Sequence, residues 1–244
     1  LTPRRNVNKR KSEFPDIEVK PIAFSVQELK TSHWKFLMGT VGNTSIYVRK
    51  IVQILRTFQS NLTLDAFREA IDSSDLSTSS KSLAQNRLSI ASEYIGNDQR
   101  LQDLIRPGRL IIVDLRDDYI EKNEALGLFV LMLQIFSEAT YQQRTFNKMV
   151  VFDEAHKYIE NGILLSNLIE LIREMRHKGT SILVASQDPS SVPAALIELS
   201  SQIILHKFNS PTWLKHIQKA NAALGKLTTE DLSNLGVGEA YVWS

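Results

Sequence analysis

Met149-Val150-Val151-Phe152-Asp153-Glu154-Ala155-His156 is the stretch that decides how this chain is read. Four apolar residues, two of them β-branched, run directly into two adjacent carboxylates. A continuous apolar run of this length, closed by polar residues, is the pattern of a strand buried on both faces in a parallel sheet. The end of such a strand delivers the acidic pair to the edge of the sheet. Neighbouring anions there repel each other unless a cation or a metal-bound phosphate lies between them and solvent. Capping of a following helix is the simpler account of the pair, but the uniformly apolar run before it favours a site.

Outward from that strand, helices and strands alternate. Arg106-Pro107-Gly108 is a turn signal, and the apolar run at 109–115 predicts a buried strand. Residues 123–141 read as a very apolar helix, 148–152 as the acidic-ended strand, and 163–177 as an amphipathic helix stopped by Gly179. Strands follow at 180–185 and 202–207, helices at 213–224 and 229–235, and an edge strand at 240–243. This order implies right-handed crossovers and an α/β fold whose mostly parallel sheet is covered on both faces. Ligands in such folds bind beyond the carboxyl ends of the strands. Asp114, Asp153, Glu154 and Gln187 all fall there.

The N-terminal half is different. Residues 1–20 read as a basic tail or linker carrying Arg4, Arg5, Lys9, Arg10 and Lys11. A solvated leader and a DNA-contacting arm are both compatible with that composition. Residues 21–105 predict a mainly helical subdomain: a short helix capped by Ser25 with Glu28, a short strand at 35–38, and helices at 44–58, 63–71 and 83–95. A Ser-rich break at 72–82 precedes the last of these. Residues 106–244 form the α/β core.

The bulk properties narrow the classes. The chain has 244 residues, 43% hydrophobic and 23% charged, as in soluble globular proteins. No cysteine is present, which excludes disulfides and thiolate metal sites. No apolar run is long enough to span a bilayer and no signal peptide is visible, so the expected location is cytoplasmic, away from membranes. A net charge of +2 neither requires nor excludes nucleic acid. The start at Leu1 rather than Met reads as a fragment.

Several groups could carry chemistry. An acidic pair at a strand end is the Walker B arrangement of nucleotide hydrolases: Asp153 in the Mg²⁺ shell, Glu154 polarising the attacking water. Gln187 follows the next strand. Its amide can donate to a γ-phosphate and accept from water, or simply satisfy a turn. Arg173, Arg176, His177 and Lys178 end the helix before Gly179, where the helix dipole alone favours positive charge. Arg173 and Arg176 lie three apart, on one face. A phosphate loop needs glycines, a Lys and a hydroxyl. Only Gly39-Thr40-Val41-Gly42-Asn43-Thr44-Ser45 approaches this, and it lacks the Lys and the spacing. His33, His206 and His216 have no metal-ligand spacing.

The segments VVFDEAHKYI (150–159), REMRHKGTSILVASQDPSSVP (173–193) and SSQIILHKF (200–208), in that order, resemble the HerA/FtsK-type ATPases, hexameric RecA-like DNA-translocating motors. The resemblance covers roughly 109–208 and extends less firmly to 244. HerA-like ATPases that stand beside nucleases or other effectors in DNA-processing and phage-defence systems are the nearest in character. It implies a RecA-like P-loop NTPase core with a helical insertion, ATP and Mg²⁺ as cofactors, and Asp153 and Glu154 as Walker B. It further implies Gln187 as sensor, Arg173 or Arg176 as the arginine supplied in trans, and a phosphate loop upstream. Implied partners are double-stranded DNA, further copies in a hexameric ring, and a nuclease or other effector. Asp153 to His156 also spells the DEAH-box motif. That helicase class is excluded because the next strand ends Ala-Ser-Gln and no second RecA-like domain fits. His156 is then read as a first-turn helix residue.

Two functions follow from these residues. In the leading one the chain is the C-terminal part of an ATP-driven DNA translocase, inactive alone because it lacks its phosphate loop. In the other it is a non-catalytic assembly or partner-recruiting module derived from such an ATPase.

Overall fold

The computed structural model describes residues 1–38, 46–58, 62–96, 100–116, 122–157 and 162–244. The sequence candidate for a phosphate loop, 39–45, lies outside the described residues, apart from the helix that follows it. Chain contacts divide the molecule into two units: 1–148 with 177–180, and 149–176 with 181–244.

The first unit is helical. It contains α1 (Val7–Glu13), α2 (Thr31–Leu37), α3 (Ile46–Thr57), α4 (Leu64–Asp72), α5 (Thr78–Ser92) and α6 (Lys122–Glu138). Its core joins Ile22, Phe24, Trp34, Ile51, Phe67 and Leu131, all essentially inaccessible to solvent. Trp34 meets Phe67 edge to face at 5.4 Å, a favoured aromatic geometry. Thr63 and Ser77 accept hydrogen bonds from the first-turn amides of α4 and α5. The Ser-rich break at 72–82 is thus shorter than predicted, because Ser77 caps a helix that begins inside it. The predicted strand at 35–38 is instead the end of α2, where Trp34 and Met38 are buried in the helical core.

Within residues 1–20, Leu1, Thr2 and Arg10 are tied into the helical unit, while 11–18 are exposed. Thr2 donates its amide to Lys20 O (3.1 Å) and accepts from Ile22 N–H (2.8 Å). On the same segment, Leu1 N donates to Ile112 O (2.6 Å), and Asp114 N–H donates to Leu1 O (2.8 Å). Arg10, on α1, is buried and pairs with Asp114 at 2.9 Å. Arg116 bonds the same carboxylate at 2.7 Å. Hydrogen bonds from Arg116, then the charges of Arg116 and Arg10, outweigh burial and hold the Asp114 carboxyl below its ordinary range. Backbone pairing and a buried ion pair thus override the composition of the segment. The predicted strand at 109–115 is also corrected. It forms no strand, and Leu110 and Ile112 are exposed while Ile111 and Val113 pack on the helical core.

At the end of α6, buried Lys148 donates from Nζ to Ser137 O (3.0 Å) and Ala139 O (2.7 Å). A cation there satisfies carbonyls that the helix leaves open and opposes its dipole. Gly179, at φ +63°, is the stop that the sequence predicted. A Cβ there would come within 3.3 Å of Phe146 O.

The second unit carries the strands β1 (Lys148–Phe152) and β2 (Thr180–Val184), whose first residues belong to the helical unit. The two strands form a two-stranded parallel sheet. It continues through α7 (Gly162–Met175), α8 (Ala194–Glu198), β3 (Ile203–Leu205), α9 (Pro211–Ala220), α10 (Thr229–Ser233) and β4 (Tyr241–Trp243). β3 and β4 pair antiparallel, with Ile204 opposite Val242. The fold is mixed α/β, as expected. Among the described residues, however, the sheet is two separate pairs, one of them antiparallel. Among the described residues one face of the β1–β2 pair is open: Met149, Val151 and Leu183 are 68%, 58% and 44% exposed. Leu205, Leu214, Ile217, Leu224 and Leu232 belong to one core cluster of this unit. No helix among the described residues is long and apolar enough to cross a membrane.

Two predictions follow from the helical unit. Gly179→Ala loses about 1–2 kcal/mol in chemical denaturation, through the left-handed backbone and the crowded carbonyl. The second concerns His33, which is 2% exposed and accepts at Nδ1 from Lys30 N–H (3.1 Å). Burial pushes its pKa down, against the opposing pull of Glu138. The folded state therefore holds fewer protons than the unfolded one, and His33's contribution is complete above about pH 6.5 and lost as the pH falls below it. Melting temperature measured from pH 8 to 5 declines in that window, and His33→Asn flattens the decline.

Candidate functional site

β1 and β2 run side by side and end at one edge of their sheet. Lys148 N–H donates to Gly179 O at 2.8 Å at the start of the pair, and Ala185 N–H donates to Phe152 O at 2.9 Å at its end. Beyond this the ladder is irregular. In a regular parallel pair, a residue donates to one neighbour and accepts from another two positions further on. Ala185 donates to Phe152 but accepts from Ala155 N–H (2.9 Å), three positions further on. One extra residue is accommodated between them, which makes this a β-bulge.

Glu154 absorbs the irregularity. Its φ is +52°, in the left-handed region that non-glycine residues avoid at a cost of about 1–2 kcal/mol. Asp153 Oδ1 accepts from the Glu154 amide at 3.0 Å, a local side-chain bond that supports the turn. Burial of Ala155 fixes the far side of the bulge.

The bulge brings together two of the residues singled out from the sequence. Gln187 Nε2 donates to Glu154 Oε1 at 2.5 Å. The two are 33 positions apart, and strand pairing alone joins them. Asp153 is exposed beside them. Beyond Gln187, Asp188 accepts from the Ser190 amide (3.0 Å) and hydroxyl. Those bonds, the hydroxyl's foremost, hold its carboxyl below the ordinary range. His216 on α9 lies 2.8 Å from Val192 O and anchors the same loop.

Other predicted residues are placed elsewhere. Arg173 is exposed in the last turn of α7. Arg176 follows in a 3₁₀ turn with His177 and Lys178, and its side chain lies outside the described residues. Asp114 belongs to the helical unit, engaged by Arg10 and Arg116. No group of three acidic, histidine or cysteine side chains suited to a metal occurs among the described residues.

His156 is the residue that sequence reasoning passed over. Ala155–Lys157 form a 3₁₀ turn, and within it His156 Nε2 lies 3.4 Å from Glu154 Oε2. The available signal was its spacing: two residues past a carboxylate in a tight turn, a side chain can fold back on it.

No protein-family model matches the chain. It is 33% identical over 132 residues to a probable DNA double-strand break repair helicase HerA of Methanocaldococcus jannaschii, covering 52% of this chain and 26% of that protein. A second protein of that organism, described as a probable helicase, is 32% identical over 96 residues, 38% of this chain and 19% of its own length. The chain thus spans about a quarter and a fifth of these relatives. Over part of its length it is related to HerA-type ATPases.

The pairing of Glu154 with Gln187 can be measured directly. In a double-mutant cycle of Glu154→Gln and Gln187→Ala, chemical denaturation shows a coupling of about 0.5–1 kcal/mol, as for a charge-assisted bond between partly exposed groups.

Proposed function

We propose that this chain contributes the hydrolysis-controlling half of an ATP-driven DNA translocase, with Glu154 as the water-polarising base and Gln187 as the nucleotide sensor. One observation carries the reading. The acidic strand end and the amide of the neighbouring strand end meet at 2.5 Å, where a bulge turns Glu154 toward its partner. A carboxylate there can accept a proton from water, and an amide beside it can read a terminal phosphate. The kinship with HerA-type ATPases supports ATP as the nucleotide and DNA as the track.

Mg²⁺ fits Asp153 in a limited sense. Mg²⁺ is usually held by one or two carboxylates together with waters and substrate phosphates, not by an all-protein cage. Asp153 is one exposed carboxylate, and one of its oxygens already accepts from the Glu154 amide. It would hold the ion with the phosphates, and the ion would neutralise charge developing on them. Arg173 and Arg176, at the end of α7, are the candidates for an arginine acting on a neighbouring subunit. The intact protein in this reading works as a homo-oligomeric, hexameric ring on double-stranded DNA, with a nuclease or other effector as partner in phage defence.

The competing reading, an assembly module without turnover, is favoured by the apolar face of Met149, Val151 and Leu183. One experiment separates the two. In the intact protein, Glu154→Gln lowers DNA-stimulated ATP hydrolysis by a factor on the order of 100 or more while nucleotide binding persists. Unchanged hydrolysis removes Glu154 from the chemistry. Absence of nucleotide binding by the wild type leaves the assembly role.

A further inference from the structure

We propose that His156 is a positioning residue for Glu154, a role that rests on the reading of Glu154 as the base. The Glu154 carboxylate is approached from two sides. Oε1 accepts from Gln187 Nε2, and Oε2 lies 3.4 Å from His156 Nε2. A carboxylate only accepts, so a hydrogen bond across this gap needs the proton on Nε2. The other ring nitrogen, Nδ1, is buried without a hydrogen-bond partner among the described residues. No bond at Nδ1 therefore sets the ring; the tight turn of Ala155–Lys157 does, and it aims the polar end at Glu154. Asp188 is a second carboxylate within electrostatic reach of the same ring.

The two contacts differ in mobility. Gln187 is exposed, on the loop after β2, whereas His156 is half-buried in the turn next to Ala155, which is wholly buried. When the Gln187 amide turns to a phosphate, its bond to Oε1 is given up, while Oε2 stays against His156 and the carboxylate is held near its place. Gln187 is the releasable contact and His156 the fixed one.

The test compares His156→Ala, His156→Gln and Glu154→Gln in the intact protein by DNA-stimulated ATP hydrolysis. His156→Ala is expected to lower kcat about 10–100-fold, the usual effect of losing a group that orients a functional side chain, with KM for ATP within about twofold. His156→Gln, which retains an N–H donor, recovers most of the loss. If Glu154→Gln abolishes turnover while His156→Ala leaves kcat unchanged, the positioning role is wrong. If Glu154→Gln leaves turnover intact, the underlying reading of the base fails instead. A measurement free of turnover, and of any folding defect in His156→Ala, is the ¹⁵N NMR signal of the His156 ring. Glu154→Gln should move the Nε2 resonance and leave Nδ1 nearly in place. An unmoved Nε2 overturns the contact itself.

Discussion

The pairing of β1 with β2 is the constraint on which the candidate site depends. Ala185 holds Phe152 and Ala155 on either side of the bulge, and everything polar at that edge takes its place from those two bonds. Asp153 and Glu154 are adjacent in sequence and would alternate between faces in a regular strand. The extra residue breaks that alternation. Glu154 reaches the end of the neighbouring strand, where Gln187 stands, and its neighbour Asp153 bonds the amide that makes the turn. A register shift of one residue between the strands would separate Glu154 from Gln187.

Much of the second unit was legible in the sequence, since its signals are local. The run at 148–152, the amphipathic helix closed by Gly179 and the apolar run at 180–184 each announce themselves within a few residues. Their pattern is set by what each strand or helix buries. The first unit was harder. Residues 1–20 are basic and polar, yet two of them are held by partners about a hundred positions away: Ile112 and Asp114 bond Leu1, and Asp114 pairs with Arg10. No local pattern records such pairing. Residues 109–115 illustrate the converse. Their composition suits a buried strand, but only the face bearing Ile111 and Val113 meets a core. Residues 35–38 failed for a third reason: so short an apolar run has no period of its own, and the helix that begins at Thr31 carries it along.

The site itself was half legible. Residue type and strand-end position singled out Asp153, Glu154 and Gln187, and Glu154 meets Gln187 because the chemistry and the topology point to the same edge. His156 was read as a first-turn helix residue because its neighbours spell the DEAH-box motif. The spelling says nothing about the turn, and it is the turn that lays the ring against Glu154. Arg173 and Arg176 end a helix, where positive charge is expected on electrostatic grounds alone, so position does not distinguish a role in trans from a dipole partner.

The left-handed backbone of Glu154 also bears on how this position drifts under mutation. Glycine takes such a conformation freely, and asparagine and aspartate take it more readily than glutamate does. A glutamate there forgoes about 1–2 kcal/mol that a glycine would not. In a domain whose net stability is only several kcal/mol, that is a standing pull toward losing the side chain. Glutamate at 154 therefore stands against the preference of its own backbone, and glycine is the substitution which that backbone would accept most readily.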